Sequence, residues 1–247
     1  MRIVALFSIK GGVGKTAAAV NLAYIAARSF FRTLVWDLDP QAASSFYFRV
    51  KPRVKGGVQK LLRRKRSTSH YIKGTNYDNL DLLPSDTSYR NLDLVLDELK
   101  KPQKGLRRAL KPLAKAYDYV FLDCPPSLSL LSENVLRAAE AVIVPVIPTP
   151  LSLRTYDQLT KFCRDEALDH VQMLPFFSMV DRRRKLHCQV VEEFARDHPS
   201  MLRAEIPYTS VIEQMSLHRA PVSTFARWTE ASESYERLWR ELSGRLN

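Results

Sequence analysis

Ser8-Ile9-Lys10-Gly11-Gly12-Val13-Gly14-Lys15-Thr16 follows directly on the apolar run Ile3-Val4-Ala5-Leu6-Phe7. A short apolar run of that kind reads as a buried strand, and Thr16 to Arg28 reads as a helix. Strand, glycine loop and helix in this order fit the phosphate-binding pattern G-x-x-x-x-G-K-[ST], with the first glycine displaced and Lys10 at its head, giving K-G-G-x-G-K-T. Glycines let the backbone curl so that successive N–H groups point at a β-phosphate, which also lies on the positive end of the helix. Lys15 then reaches the β- and γ-phosphates, and the Thr16 hydroxyl supplies a ligand for Mg²⁺. Gly11, Gly12 and Gly14, three of the chain's 8 glycines, fall in this one loop. That concentration, in that setting, argues against a glycine-rich turn followed by a chance Lys-Thr.

At 247 residues the chain suits one α/β domain or two small ones. With no internal repeat and no low-complexity linker, a single domain over 1–247 is the expectation. Cys124, Cys163 and Cys188 are unevenly spaced and form no C-x-x-C pair, which fits reduced thiols in a cytosolic protein. No run approaches the ~18 apolar residues of a membrane span, and the N-terminus enters a strand without the layout of a signal peptide. The expected location is cytoplasmic.

The net charge of +12 is unevenly spread. Arg49 to Arg66 holds nine basic residues and no acid, Lys100 to Lys115 holds seven and no acid, and Arg182-Arg183-Arg184-Lys185 adds four. The rest of the chain is net acidic. Positive stretches on a negative body point to a polyanion, nucleic acid first; each run taken alone is equally a solvated loop or helix face.

Alternation of strands and helices continues to the C-terminal side. Strands are expected at Thr33–Trp36, Leu80–Ser85, Tyr117–Asp123, Ala141–Val146 and Met173–Met179, with a short one ending at Ile206-Pro207. Helices are expected at Arg90–Lys100, Gly105–Ala116, Leu130–Ala139, Leu151–Ala167 and Leu186–His198. Between Ala42 and Asn79 the pattern weakens to what reads as a basic surface excursion. The expected fold is α/β, a mostly parallel twisted sheet covered by helices on both faces.

Three carboxylates close the strands expected at Thr33–Trp36 and Tyr117–Asp123. Asp123, after apolar residues and before Cys124-Pro125-Pro126, has the form of an aspartate that holds Mg²⁺, usually through water. Asp37 and Asp39 sit two apart, so on a strand their side chains start on one face. Beside a magnesium triphosphate one can support the metal shell and the other can orient the attacking water. Alone, each reads better as a strand-end carboxylate capping the next helix or turn; together with the glycine loop, the metal and water roles are favoured.

Lys10-Gly-Gly-Val-Gly-Lys15-Thr16, Asp37-Leu-Asp39-Pro-Gln41 and Leu122-Asp123-Cys-Pro-Pro-Ser127 together resemble the ParA/Soj family of deviant-Walker P-loop ATPases, related to MinD. The likeness continues through Ala138-Ala139-Glu140 to Pro145, Met179-Val-Asp181-Arg-Arg183 and Ile206-Pro207. It implies an ATPase with ATP and Mg²⁺ as cofactors, slow and stimulated by a partner. Its site would comprise Lys10, Lys15 and Asp39 in catalysis, and Thr16, Asp37 and Asp123 at the metal. Lys10 through Ala17 would sit at the phosphates, and Met179, Asp181 and Pro207 at the base. It further implies an ATP-bound homodimer in which Lys10 reaches the partner's phosphates, sequence-independent DNA binding on the nucleoid, and a ParB-like or cargo-adaptor activator. The cargo would be a plasmid, a chromosome origin or a protein assembly.

Departures from the family pattern accompany the likeness. Ala17 stands where a second threonine is common, and Ala42-Ala43 where Gly-Asn is usual. Tyr208 to Glu213 lacks the arginines that many members carry, which leaves Arg182, Arg183, Arg184 and Lys185 as the expected DNA contacts, helped by Arg63–Arg66 or Lys104–Lys115. A MinD-like membrane cycle stays open as an alternative, since Tyr235, Leu238, Trp239, Leu242 and Leu246 make an apolar stripe. Against it, Glu233–Arg237, Glu236–Arg240 and Glu241–Arg245 are spaced as three i,i+4 pairs, a balanced face better suited to packing than to anionic lipid. A metabolic or metallocluster-assembly ATPase keeps the fold, but the scattered cysteines offer it no metal pair.

Overall fold

The computed structural model describes residues 1–63 and 67–246. The chain opens with β1 (Arg2–Leu6), α1 (Lys15–Arg28), β2 (Thr33–Asp37), α2 (Ala43–Tyr47) and α3 (Gly57–Leu62). It continues through β3 (Lys73–Gly74), β4 (Leu80–Leu83), α4 (Leu92–Asp97), α5 (Gly105–Leu110) and β5 (Tyr119–Asp123). Next come α6 (Leu130–Ala138), β6 (Ala141–Val146), α7 (Pro150–Asp165), β7 (Gln172–Phe177) and α8 (Lys185–Asp197). Three short helices, α9 (Ser210–Glu213), α10 (Met215–His218) and α11 (Val222–Phe225), lead into α12 (Glu230–Leu246).

The strands form one sheet in the order β3-β4-β2-β5-β1-β6-β7, parallel except for β3, which runs antiparallel to β4. Alternate residues feed two cores. Ile3, Ala5, Val120 and Leu122 face one helical layer, with side chains from α3 to α8. Val4, Leu6, Tyr119 and Phe121 face the other, built from α1 and the C-terminal helices. With both faces covered, the strands are apolar along their whole length rather than alternating.

Several expected boundaries shift for local reasons. The helix from Gly105 stops at Leu110, because Pro112 has no amide to donate; a 3₁₀ turn over Lys111–Leu113 follows. The strand expected to Met179 ends at Phe177, since Met179 turns left-handed at φ 56°. Ile206-Pro207 contributes one isolated bridge, Val180 to Pro207, rather than a strand. The segment after Ala42 is no mere surface excursion. Its helix α3 buries Val58, Leu61 and Leu62, and its β3 extends the sheet.

Register fixes the site. Leu6 pairs with Asp123 and Asp37 with Asp123, so β1, β2 and β5 end level at their carboxyl edge. Open α/β sheets bind ligands at that edge, where the connections diverge to opposite faces.

Candidate functional site

The loop between β1 and α1 rises from this edge. Gly12 and Gly14 hold φ of 69° and 91°, a left-handed geometry that side-chain-bearing residues rarely adopt, and Gly14 is the N-cap of α1. A Cβ on Gly14 would lie 3.0 Å from Ser178 Oγ, so the loop is also tightly packed. Lys15 is buried and donates from Nζ to the Lys10 carbonyl at 3.1 Å. Burial lowers its pKa, opposed by the charge of Asp123.

Behind the loop stand two fully buried carboxylates on adjacent strands. Asp123 accepts from Thr16 Oγ1 at 3.2 Å and from Ser44 Oγ at 2.7 Å. Asp37 accepts from the Ser45 amide at 2.8 Å, from Ser45 Oγ at 2.7 Å and from the Asp39 amide at 3.3 Å. Burial, followed by the charge of Asp123, pushes the Asp37 pKa up; burial also raises Asp123, while the Ser44 and Thr16 hydrogen bonds oppose it. Two such groups side by side each raise the cost of ionising the other. Thr16 and Asp123 form a hard oxygen donor pair of the kind Mg²⁺ takes when phosphates and waters complete its shell. Asp37, gripped by Ser45, lies one strand further back. Asp39 is past the end of β2 and half-exposed, its carboxylate accepting from the Gln41 amide at 2.8 Å.

Ser44 and Ser45 are site residues that sequence reading missed. Both are buried on α2, which follows a left-handed turn at Ala42, φ 54°. A Ser-Ser pair seven and eight residues beyond a strand-end aspartate carries no signal of its own, because the turn alone returns it to β2 and β5.

Met179 and Pro207 line one apolar cleft with Gly14, Ala17, Tyr208 and Ile212, beside the start of α1. Asp181, expected at the base, does not line it. Its carboxylate instead holds Arg183 at 2.9 and 3.0 Å. Lys10, at the head of the loop, extends to α7 and donates from Nζ to Ser152 Oγ at 3.1 Å.

The basic tracts separate into two surfaces. Of the four residues expected at DNA, Arg182 is paired with Glu205 and Arg183 with Asp181, leaving Arg184 and Lys185 without an ion pair among the described residues. The other two tracts come together in space. Side chains of α3 and α5 share one core, and Thr68 Oγ1 donates to the Ala109 carbonyl at 2.7 Å between them. Arg53, Lys55, Lys60, Arg63, Lys104, Arg107 and Lys111 are exposed on these two tracts; Arg53 and Lys55 line one hollow with Lys73, and Lys104, Arg107 and Lys111 line another with Arg137 and Glu140. Only Arg63 of these is ion-paired among the described residues, with Glu98. Arg64, Lys65 and Arg66 lie outside the described residues.

The apolar stripe of α12 is buried: Tyr235, Leu238, Trp239, Leu242 and Leu246 pack in the core beside α1, with Trp239 edge-on to Tyr119 at 5.1 Å between ring centres. Its charges pair outward more than along the helix. Glu236 takes Arg28, and Glu241 accepts from the Arg203 amide; only Glu233–Arg237, at 3.9 Å, pairs as spaced. Among the described residues no helix is long and apolar enough to cross a membrane.

Sheet topology, glycine cradle and strand-end carboxylates define a P-loop nucleotide-binding protein. A family model described as an AAA domain matches residues 1–172. The chain is 31% identical to the sporulation initiation inhibitor protein Soj of Bacillus subtilis over 250 residues, 98% of each chain. It is also 31% identical to the chromosome partitioning protein ParA of Myxococcus xanthus, over 99% of this chain and 88% of that one. The chain belongs to the ParA/Soj family. Its fold matches a putative plasmid partition protein of Borrelia burgdorferi bound to AMPPNP (TM-score 0.85, 22% identity, 99% of each chain). It also matches cobyrinic acid a,c-diamide synthase of Mycobacterium smegmatis with a bound ATP analogue and magnesium (TM-score 0.82, 25% identity, 100% of this chain and 96% of that one).

Proposed function

We propose that the protein is an ATP-driven dimerising switch that positions a cargo along DNA. The observation that carries this reading is the pair of lysines on one loop. Lys15 is buried in the cradle with Thr16 and Asp123, whereas Lys10 is turned away from it onto α7. Lys15 and the loop amides would bind the triphosphate, with Gly11, Gly12, Val13, Gly14, Thr16 and Ala17 around it. Met179 and Pro207 would flank the base. Thr16 and Asp123 would hold Mg²⁺, whose charge would stabilise the negative charge that develops on the phosphates. Asp37 supports that pair from behind, and Asp39, half-exposed at the strand end, orients the attacking water. A second subunit's Lys10 would complete the charge stabilisation, so hydrolysis would wait for the dimer, as it waits for an arginine finger in trans. Turnover would be slow until a ParB-like or adaptor protein stimulates it.

The DNA arm is supported by the seam between α3 and α5. Its exposed cations outnumber its ion pairs, with Arg63–Glu98 the one pair among the described residues, so they suit a phosphate backbone. Arg184 and Lys185 are secondary candidates. The switch would then reside in the cytoplasm on the nucleoid.

Binding to unrelated duplexes with ATP, ADP and no nucleotide tests the reading. Binding in ATP alone, falling steeply with salt, is expected. Equal binding in all three states, or none, overturns it. Charge reversal at Arg53 and Lys55, or at Lys104 and Arg107, should flatten the salt slope by about 0.9 for each phosphate that is no longer neutralised. The Arg184→Glu, Lys185→Glu variant should change it less; the opposite ranking would move the surface to α8.

A further inference from the structure

Lys10 and Ser152 lie 142 positions apart in the chain, yet the ammonium of one meets the hydroxyl of the other at 3.1 Å. Thr149 Oγ1 donates to the same oxygen, also at 3.1 Å, and Ser152 is only 4% exposed. A serine oxygen has two acceptor lone pairs, and these two donors use both. The hydroxyl is therefore held as an acceptor aimed at Lys10.

The surroundings make this a weak seat for a cation. Ser152 belongs to the first turn of the sixteen-residue helix α7, behind Pro150. The positive end of the helix dipole lies there, where anions are favoured and cations are not. The narrow cleft around the lysine stem is lined by Val13, Val144, Val146, Tyr156 and Leu159, and no acidic residue contributes to it. Lys10 is thus held by one neutral oxygen against an adverse dipole, with no carboxylate among the described residues to retain it. A lysine seated this way stays ordered on its own subunit and yields readily to a stronger anion.

We infer that Ser152 is a positioning residue for Lys10: it holds the ammonium on α7 of its own subunit and releases it to the triphosphate of a second subunit. The inference rests on the proposed action of Lys10 across a dimer. In the monomer the Ser152 contact competes with dimer formation, so its strength sets the protein concentration at which ATP assembles two subunits. Ser152 itself touches no phosphate. It acts only through Lys10.

The test compares Ser152→Ala and Ser152→Asp by analytical ultracentrifugation with ATP, in the wild-type and Lys10→Ala backgrounds. Loss of one hydrogen bond in each of the two subunits of Ser152→Ala should lower the half-association concentration roughly ten- to a hundredfold. Ser152→Asp gives the ammonium a carboxylate and should raise it by at least as much. Both shifts should vanish in the Lys10→Ala background, since residues that act through one contact are not additive. Monomer affinity for ADP should stay at the wild-type value, and the urea midpoint of Ser152→Ala should fall by no more than one hydrogen bond supplies; a merely structural role would shift association of both variants in one direction and would do so in the Lys10→Ala background as well. Unchanged association in both variants, or weakened association in Ser152→Ala, overturns the inference. If Lys10→Ala alone dimerises and hydrolyses as wild type, the cross-subunit role of Lys10 has failed instead.

Discussion

Ser44 Oγ donates to Asp123 Oδ2 across 2.7 Å, joining α2 to the last residue of β5. Both groups are fully buried, and Thr16 occupies the other carboxylate oxygen. The adjacent Ser45 grips Asp37 in the same way. A five-residue helix thereby senses both carboxylates behind the phosphate loop. Any cation that draws Asp123 forward changes what Ser44 can hold.

Ser44→Ala should destabilise the nucleotide-free protein by about 1–3 kcal/mol, because a buried carboxylate loses a donor that no water replaces. Urea unfolding with EDTA measures this. Adding Mg²⁺ with ATP should recover part of the loss, since Asp123 would then have another partner. A wild-type midpoint without nucleotide would show that Ser44 contributes nothing there.

Lys10→Ala and Asp39→Ala separate two roles the motif suggests. Lys10→Ala should abolish hydrolysis while leaving nucleotide binding to the monomer intact. Asp39→Ala should still assemble with ATP but hold the dimer, because only the orientation of water is lost. Turnover assays and size exclusion with ATP decide both. Wild-type turnover in the first, or a monomer in the second, contradicts the assignments.

The stability of the nucleotide-free protein should fall as pH rises. Asp37 is raised to about 8, above the value near 4 of an unfolded aspartate. Between those values the native state keeps a proton that the unfolded chain has lost. Its stabilisation is therefore complete below pH ~4 and lost progressively up to about pH 8, with a slope of up to ~1.4 kcal/mol per pH unit for one proton. Asp37→Asn should flatten the upper part of this profile, leaving the lower part to Asp123, raised to about 6. A profile unchanged by the substitution would assign the slope to other groups.

What the sequence made legible was local. The loop lies on consecutive residues, and β6 spans Ala141–Val146 as its apolar run indicates. Contacts made by distant returns of the chain were not legible. Ser152 meets Lys10 only because β6 and β1 are neighbours, which brings the start of α7 beside the loop. Glu236 could reach Arg240 along its helix, yet it binds Arg28 because α12 packs on α1. The basic tracts around 53 and 107 show no relation in sequence, and it is the shared core of α3 and α5 that makes them neighbours.

Ala42 carries the last prediction. Its φ of 54° and ψ of 40° are left-handed, and its amide is committed to the Asp39 carbonyl at 2.9 Å, so the turn cannot relax without releasing α2. An L-residue in this region bears about 1–2 kcal/mol of steric strain that glycine does not. Glycine also makes the unfolded chain more flexible, which offsets part of the gain. Ala42→Gly should therefore stabilise the protein by about 0.5–1 kcal/mol, read as a higher urea midpoint at unchanged slope. Because the turn delivers Ser44 and Ser45 to the carboxylates, the gain should be smaller in a Ser44→Ala, Ser45→Ala background. A lower midpoint in Ala42→Gly would mean that chain entropy outweighs the strain at this turn.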